Sequence, residues 1–146
     1  MFLGRFTHNL DNKGRLIVPA RFRNELSADG AFIMQGFDQN LFVLPKVAFD
    51  TISHRINKMS ITDPTARMLR RLLFSSANYV GVDKSGRILI PPYLREAAKL
   101  DVQVVVIGNG DYFEIWSPEE WEHQNEQLQD AQLNAHRFSA LDLTSE

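Results

Sequence analysis

The chain carries one segment twice. Residues 11–26 read DNKGRLIVPARFRNEL and residues 83–98 read DKSGRILIPPYLREAA. Asp, Gly, Arg and Pro recur at a constant offset of 72 residues, and three aliphatic residues separate Arg from Pro in each copy. A repeat of this period predicts a fold built from two similar halves. The matched positions are Asp11/Asp83, Gly14/Gly86, Arg15/Arg87, Pro19/Pro91 and Arg23/Arg95.

The size of the chain favours halves that fold together. A unit of about 70 residues buries too little surface to be very stable alone. The whole chain, with 146 residues of which 44% are hydrophobic, is large enough for a shared core. We therefore expect two repeats, residues 1–74 with linking helices and residues 75–146 with a C-terminal helix and tail, packed into one compact unit.

Within each half, the hydrophobic pattern predicts a strand, a turn, a second strand, a short helix, a hairpin and a longer helical part. Pro19 and Pro91 end the second strand and suit the first turn of the short helix, because proline lacks an N–H. The predicted strands are 6–10, 15–18, 32–35, 41–44, 79–82, 87–90, 102–107 and 112–116.

Longer helices are predicted outside the repeated segment. The first begins near Lys46, where the hydrophobic period changes. Asp63 followed by Pro64 predicts the start of the second helix, and Ser117 followed by Pro118 predicts the start of the last. The expected apolar faces are Phe49, Ile52, Ile56 and Met59 on the first, Met68, Leu69, Leu72 and Leu73 on the second, and Trp121 and Leu128 on the last.

Several functional classes lack their signatures in this sequence. Without cysteine there is no disulfide framework and no thiolate metal site, and the four histidines show no pair at metal-ligand spacing. Neither a nucleophile elbow nor a phosphate-binding loop occurs, and no apolar run reaches the roughly 18 residues of a membrane span. We therefore expect a cytoplasmic protein that is not an enzyme, with no metal, cofactor, small-molecule substrate or membrane partner.

The net charge of −2 conceals an uneven distribution. Residues 1–23 and residues 55–71 each carry five basic residues and one acidic residue, whereas residues 112–146 carry eight acidic residues and one basic residue. An acidic tail can mask a basic face in the total, so the net charge does not exclude a nucleic-acid partner. Charges that only cover solvated faces are the competing interpretation.

The repeated turn is the candidate functional site. Asp11 and Asp83 are expected to cap backbone N–H groups, and a glycine tolerates the positive φ of a tight turn. A purely structural turn, in which the arginine pairs with the aspartate, is one interpretation. This interpretation does not explain why basic residues cluster at the loop tips. Basic side chains there suit phosphate and guanine, and a glycine would let a ligand approach the backbone. The expected interface residues are Lys13, Gly14, Arg15, Lys84, Gly86 and Arg87, with Arg5 and Arg21 adding charge near the first turn.

The residues quoted so far resemble a known family. The opening segment MFLGRFTHNLDNKGRLIVPARFR, the paired Asp-x-x-x-Arg motifs at Asp11/Arg15 and Asp83/Arg87, and the chain length are similar to the MraZ family. The resemblance covers essentially the whole chain. It implies an α+β fold in which two tandem AbrB/SpoVT-type swapped-hairpin modules form a pseudo-two-fold β-barrel with flanking helices.

The resemblance also implies a function. Members of this family are regulators of the cell-division and cell-wall gene cluster, and they bind repeated G-rich boxes in promoter DNA as ring-like homo-oligomers. We therefore expect an autoregulatory, sequence-specific DNA-binding protein associated with the nucleoid, with the Asp-x-x-x-Arg turns as the DNA-contacting element. The copies differ in the position of their lysine, and Tyr93 replaces Arg21 in the second. The alternative is an oligomeric interaction module without specific DNA binding, in which Phe49, Leu69 and Trp121 serve subunit contacts.

Overall fold

The computed structural model describes residues 1–26 and 29–143. This part of the chain contains eight strands and six helices, in an order that occurs once in each half. The first half consists of β1 (Arg5–Asn9), β2 (Arg15–Ile17), α1 (Ala20–Leu26), β3 (Ala31–Gln35), β4 (Asn40–Pro45), α2 (Lys46–Asn57) and α3 (Pro64–Ser76). The second half consists of β5 (Asn78–Val80), β6 (Arg87–Leu89), α4 (Pro92–Ala97), β7 (Gln103–Gly108), β8 (Phe113–Trp116), α5 (Pro118–Leu128) and α6 (Ala131–Arg137).

The strands form two antiparallel sheets. The larger sheet has the order β1-β7-β8-β4-β3-β5, and the smaller is a two-stranded ribbon of β2 and β6. The α+β class is therefore confirmed. The six-stranded ladder ends at β1 and β5 within the described residues, so its recorded pairs do not close a barrel.

Strand pairing repeatedly crosses between the halves. β1 pairs with β7 of the second half, β5 pairs with β3 of the first half, and the ribbon joins β2 to β6. The two strands on either side of each repeated turn therefore belong to different sheets. Each half therefore supplies strands that pair with strands of the other half.

The main core also draws on both halves. Phe22 of α1 packs edge-on against Phe2 with ring centroids 5.0 Å apart, and it lies 5.2 Å from the ring of Phe113 in β8. Leu16 and Ile88 of the ribbon are buried in the same cluster. Because these side chains come from both halves of the sequence, the two halves share one core.

Helices α2 and α3 cover a second apolar cluster on the sheet. Ile56 and Leu73, both predicted to face inward, are buried there together with Met34 of β3 and Leu44 of β4. Met68 was expected on the same face but is 67% exposed, so that part of the prediction is wrong. The apolar spacing of α3 continues onto a helix side that no described element covers.

The predicted helix starts are confirmed. Asp63 accepts a hydrogen bond from the Thr65 N–H at 2.9 Å, and Ser117 accepts one from the Glu120 N–H at 3.2 Å. The single last helix that the sequence predicts is instead two helices. The Asp130 carboxylate accepts a hydrogen bond from the Leu133 N–H at 3.1 Å and caps the start of α6. Such a cap favours a new helix because it satisfies a backbone N–H of the first turn that has no partner within the helix.

No helix in the described part of the chain combines the length and the apolar character required to cross a membrane.

Candidate nucleic-acid interface

An aspartate carboxylate organises the first turn. Asp11 Oδ1 accepts hydrogen bonds from the backbone N–H groups of Lys13 and Arg15, both at 2.9 Å. The other oxygen, Oδ2, accepts from Arg15 Nε at 2.6 Å. Gly14, at φ +80°, donates its N–H to the Asp11 carbonyl at 3.0 Å. Four donor groups of residues 13–15 are thus bonded to one aspartate.

The second turn repeats these bonds. Asp83 Oδ1 accepts from the N–H groups of Ser85 and Arg87 at 2.9 Å, and Oδ2 accepts from Arg87 Nε at 2.9 Å. Gly86 has the same φ of +80°. The shift of the lysine by one position between the copies therefore leaves the backbone hydrogen bonds of the turn unchanged.

The bonds within each turn lower the pKa of its aspartate. The Arg15 N–H, followed by the Arg15 side chain and the Lys13 N–H, lowers the pKa of Asp11 from 3.8 to about 2. The pKa of Asp83 is lowered for the same reason, with the Arg87 N–H as the main cause. In the folded protein Asp11 is therefore ionised down to about pH 2, and the pKa of Asp83 also lies below its ordinary value.

We expect acid to destabilise the protein through these two aspartates. The unfolded chain protonates both carboxylates near pH 4, whereas in the folded chain Asp11 stays ionised until about pH 2 and Asp83 also has a lowered pKa. The stabilisation is complete above the unfolded pKa and is lost as pH falls through this window. Urea unfolding at a series of pH values should show it as a falling midpoint. Asp11→Asn/Asp83→Asn should be less stable at neutral pH and have a flatter profile below pH 4; parallel profiles would contradict the assignment.

The two turns meet on the β2–β6 ribbon. The register pairs Arg15 with Leu89, Leu16 with Ile88, and Ile17 with Arg87. Since side chains alternate across a strand, the buried central pair points to the core and the four flanking residues share the outer face. Arg87 Nη1 also lies 3.9 Å from Asp11 Oδ2, which joins the turns directly.

The arginines of this face are held in place rather than projecting from loop tips. The side chains of Arg15 and Arg87 are 28% and 29% exposed, and each gives its Nε to its aspartate. The structural interpretation of the turn is therefore correct for these contacts. Lys13 and Lys84 lie beside them and are fully on the surface. The ribbon consequently combines two fixed guanidinium groups with two solvated ammonium groups.

Two other predicted site residues lie away from the ribbon contacts. Arg5 is the first residue of β1. At the rise per residue of an extended strand, it lies about 20 Å from the first turn. Its guanidinium lies 4.9 Å from the centre of the Trp121 ring, and Nη2 donates to Asn125 at 3.5 Å. Arg21 is exposed on α1. Arg5 therefore belongs to the surface of α5, although it is near the first turn in sequence.

The structure adds two arginines that the sequence analysis did not place in the site. Arg23 of α1 lies against Gly86 of the second turn, and Arg95 of α4 lies against Gly14 of the first turn. Both glycines are buried, so the space above them is taken by an arginine from the other half. The signal for them in the sequence is that Arg23 and Arg95 occupy matching positions in the two repeats.

Two exposed aliphatic residues also belong to the outer face. Ile17 and Leu89 are 46% and 50% exposed, and they flank the arginines in the register. Strand alternation around the buried Leu16 and Ile88 was the signal that places them there. The face is thus a mixed cationic and apolar strip.

The chemistry of this strip is that of recognition. A two-stranded antiparallel ribbon has the dimensions to enter the major groove of B-DNA, where guanidinium groups pair with guanine. The exposed lysine ammonium groups of the turns suit phosphate. Among the described residues, no cluster of histidine, aspartate and glutamate is arranged to hold a metal ion.

The fold and this ribbon define a protein of two interlocked repeats that presents a charged turn from each repeat on one face. A model of the family described as "MraZ protein, putative antitoxin-like" matches residues 1–72 and again residues 73–143. The chain is 48% identical to the transcriptional regulator MraZ of Herpetosiphon aurantiacus, over 84% of this chain and 85% of that protein. It is 45% identical to the protein of the same name from Thermomicrobium roseum, over 88% of this chain and 89% of the relative. The chain belongs to the MraZ family.

Proposed function

We propose that the protein is a transcriptional regulator that binds specific DNA sequences through the β2–β6 ribbon. The observation that carries this proposal is the placement of Arg15 and Arg87 on one exposed ribbon face, beside Lys13 and Lys84. The family members compared above are named transcriptional regulators, which supports the same function.

Each side chain of the ribbon has a role in this proposal. Arg15 and Arg87 read guanine edges, since a guanidinium matches the O6 and N7 acceptors of guanine. Lys13 and Lys84 contact phosphates, and Arg21, exposed on α1, adds positive charge outside the ribbon itself. Asp11 and Asp83 keep the turns in shape. Arg5 lies on the α5 surface and is not part of the proposed interface.

The resemblance to the family supplies the proposed target. We infer that the protein regulates the cell-division and cell-wall gene cluster from repeated boxes in its promoter, and that it regulates its own gene. Such a protein acts in the cytoplasm at the nucleoid. Footprinting on the DNA upstream of its own gene is the direct test of this target.

Removing the Arg15 guanidinium should weaken specific DNA binding. If Arg15 reads a guanine, Arg15→Ala should cost about 1–3 kcal/mol of binding free energy and relax the preference at one base position. The measurement is a titration of the footprinted duplex at several salt concentrations, because lost phosphate contacts also reduce the salt dependence.

Two further variants make this test specific. Arg5→Ala removes the same charge from the α5 surface and should bind as the parent does. Arg15→Lys keeps the charge but loses the paired donors, so it should retain nonspecific affinity and lose base preference. A folded Arg15→Ala protein with an unchanged titration would overturn the proposed role.

We also propose that the two repeats, residues 1–74 and 75–146, correspond to swapped-hairpin modules that fold as one unit. The crossed pairs β1–β7 and β5–β3 support this, because each module places a strand on the hairpin of the other. The last three residues of the second repeat lie outside the described residues. The closed barrel of such modules remains part of this proposal.

Self-association is the remaining part of the proposal, and two surfaces favour it. A groove of about 220 Å³ between α2, α3 and the β3–β4 hairpin is lined by apolar side chains and Arg55, with Phe37 and Met59 exposed at its edge. Helix α3, which forms one side of the groove, also carries Arg67, Arg70 and Arg71. Helix α6 and the residues after it expose Leu133 and Phe138, and they follow α5, which carries Glu119, Glu120, Glu122 and Glu126. Opposite charge and unmet apolar surface on both sides fit a second copy of this chain. A pure interaction module would use the same surfaces.

A further inference from the structure

We propose that Arg23 and Arg95 are positioning residues that act between the two halves, each holding the turn that the opposite half supplies. Arg23 fixes the second turn and Arg95 fixes the first. The consequence for DNA rests on the proposed function, whereas the crossed positioning rests on the contacts alone.

The contacts of Arg23 define the first arrangement. From α1, its Nε donates to the Val18 carbonyl at 2.9 Å, just before the helix begins. The Val18 N–H donates to the Gly86 carbonyl of the other half, also at 2.9 Å. A Cβ added to Gly86 would lie 2.6 Å from Arg23 Nε. The guanidinium therefore rests directly on the glycine backbone of the second turn.

Arg95 makes the same contacts in the opposite direction. From α4, its Nε donates to the Ile90 carbonyl at 3.1 Å, and the Ile90 N–H donates to the Gly14 carbonyl at 3.0 Å. A Cβ on Gly14 would lie 2.6 Å from the central guanidinium carbon of Arg95. The two arrangements are related by the internal repeat, which makes a chance contact a poor explanation.

These contacts restrict the turn at its most adaptable point. Gly14 and Gly86 have φ values of +80°, which glycine reaches without strain and other residues rarely adopt. The arginine occupies the space that a side chain would fill and is itself anchored to a backbone carbonyl. It thereby limits the conformations open to the glycine, while the side-chain hydrogen bonds of each aspartate stay within its own turn.

The crossing couples the two DNA-contacting turns. The position of Arg15 depends on Gly14, which Arg95 of the second half covers, and the position of Arg87 depends on Gly86 in the same way with Arg23. Two guanidinium groups bind a duplex more tightly when their separation is fixed in advance, because less conformational freedom is lost on binding. The arginine pair supplies this fixed separation.

The crossed pattern is measurable without DNA. In Arg95→Lys, the amide signal of Gly14 should shift in a two-dimensional NMR spectrum and its hydrogen exchange should accelerate, while Gly86 changes little. Arg23→Lys should do the reverse. Lysine keeps the charge and most of the alkyl chain, so these variants should fold. Arg21→Ala, exposed on the same helix as Arg23, is the control and should change neither glycine. A change confined to the turn of the same half, or equal changes in both turns, would overturn the proposal.

A double-mutant cycle on DNA tests the positioning role, which a general loss of stability would not reproduce. Arg95→Lys should weaken specific binding by at least about threefold when Arg15 is present, and by much less in an Arg15→Ala background. In an Arg87→Ala background the loss should persist in full. Equal coupling to both arginines would overturn the role. If Arg15→Ala itself leaves binding unchanged, the DNA-binding proposal fails, and the glycine amides still decide whether the positioning is crossed.

Discussion

Leu16→Ala is expected to lower the free energy of unfolding by about 2–5 kcal/mol, because it leaves a cavity at the centre of the ribbon. Leu16 is 0% exposed and faces Ile88, which is 1% exposed, across the β2–β6 register. Ile88→Ala should cost a similar amount. Urea unfolding should show one transition by circular dichroism and by the fluorescence of Trp116 and Trp121, since the core joins both halves.

The same strands provide matched controls for this prediction. Ile17 and Leu89 are neighbours of the buried pair but lie half exposed on the outer face. Ile17→Ala and Leu89→Ala should each change stability by no more than about 0.5 kcal/mol. Equal losses at buried and exposed positions would contradict the inward and outward assignment. Two separate unfolding transitions would show that the halves are independent.

Much of the fold could be predicted because its signals are local. The offset between Asp11 and Asp83 predicts two similar halves, and the proline after each aliphatic run predicts where a helix begins. Asp63 and Ser117 mark helix starts through a hydrogen bond to a residue two or three positions later. Each of these interactions lies within one turn of chain, so sequence spacing alone defines it.

The hairpin pairs β3–β4 and β7–β8 were predicted and are confirmed, but the partners of the other strands could not be predicted in the same way. Alternation identifies the buried Leu16 within β2, but a strand of three residues carries no information about which edge it joins. Its partner, β6, lies in the other half of the chain. The hydrophobic period therefore gives the face of each strand, and the crossed pairing follows only from the three-dimensional structure.

In the candidate site, too, local contacts could be predicted and contacts between the halves could not. Asp11, Arg15 and Gly14 interact within five residues, and their turn could be predicted with its hydrogen-bonding role. Counting charge along the sequence, however, assigns Arg5 to the first turn and gives no role to Arg23. The extended β1 carries Arg5 away to Trp121, and Arg23 reaches the second turn because the halves exchange strands. Distance in sequence is a poor guide where the chain crosses between repeats.

The protein should bind a promoter with several boxes much more tightly than one with a single box. Once one ribbon of an assembly is bound, later contacts are intramolecular, and the apparent affinity should rise by about 10²–10⁴-fold if the spacing fits. Moving one box by half a helical turn, about 5 base pairs, should remove most of the gain because it rotates the box to the other side of the duplex. Light scattering of the free protein measures its self-association. Titrations of one-box and multi-box duplexes measure the gain in affinity.

A variant of the apolar groove separates avidity from the ribbon itself. Met59→Asp places a negative charge at the apolar groove edge, where it would repel the glutamates of α5 in a second copy. It should dissociate the assembly and abolish the gain from added boxes, while affinity for one box stays near the parent value because the ribbon is untouched. Val102→Asp, an exposed apolar position before β7, is the matched control. A monomeric parent protein that binds one box and several boxes equally well would exclude avidity, and DNA recognition would then rest on a single ribbon.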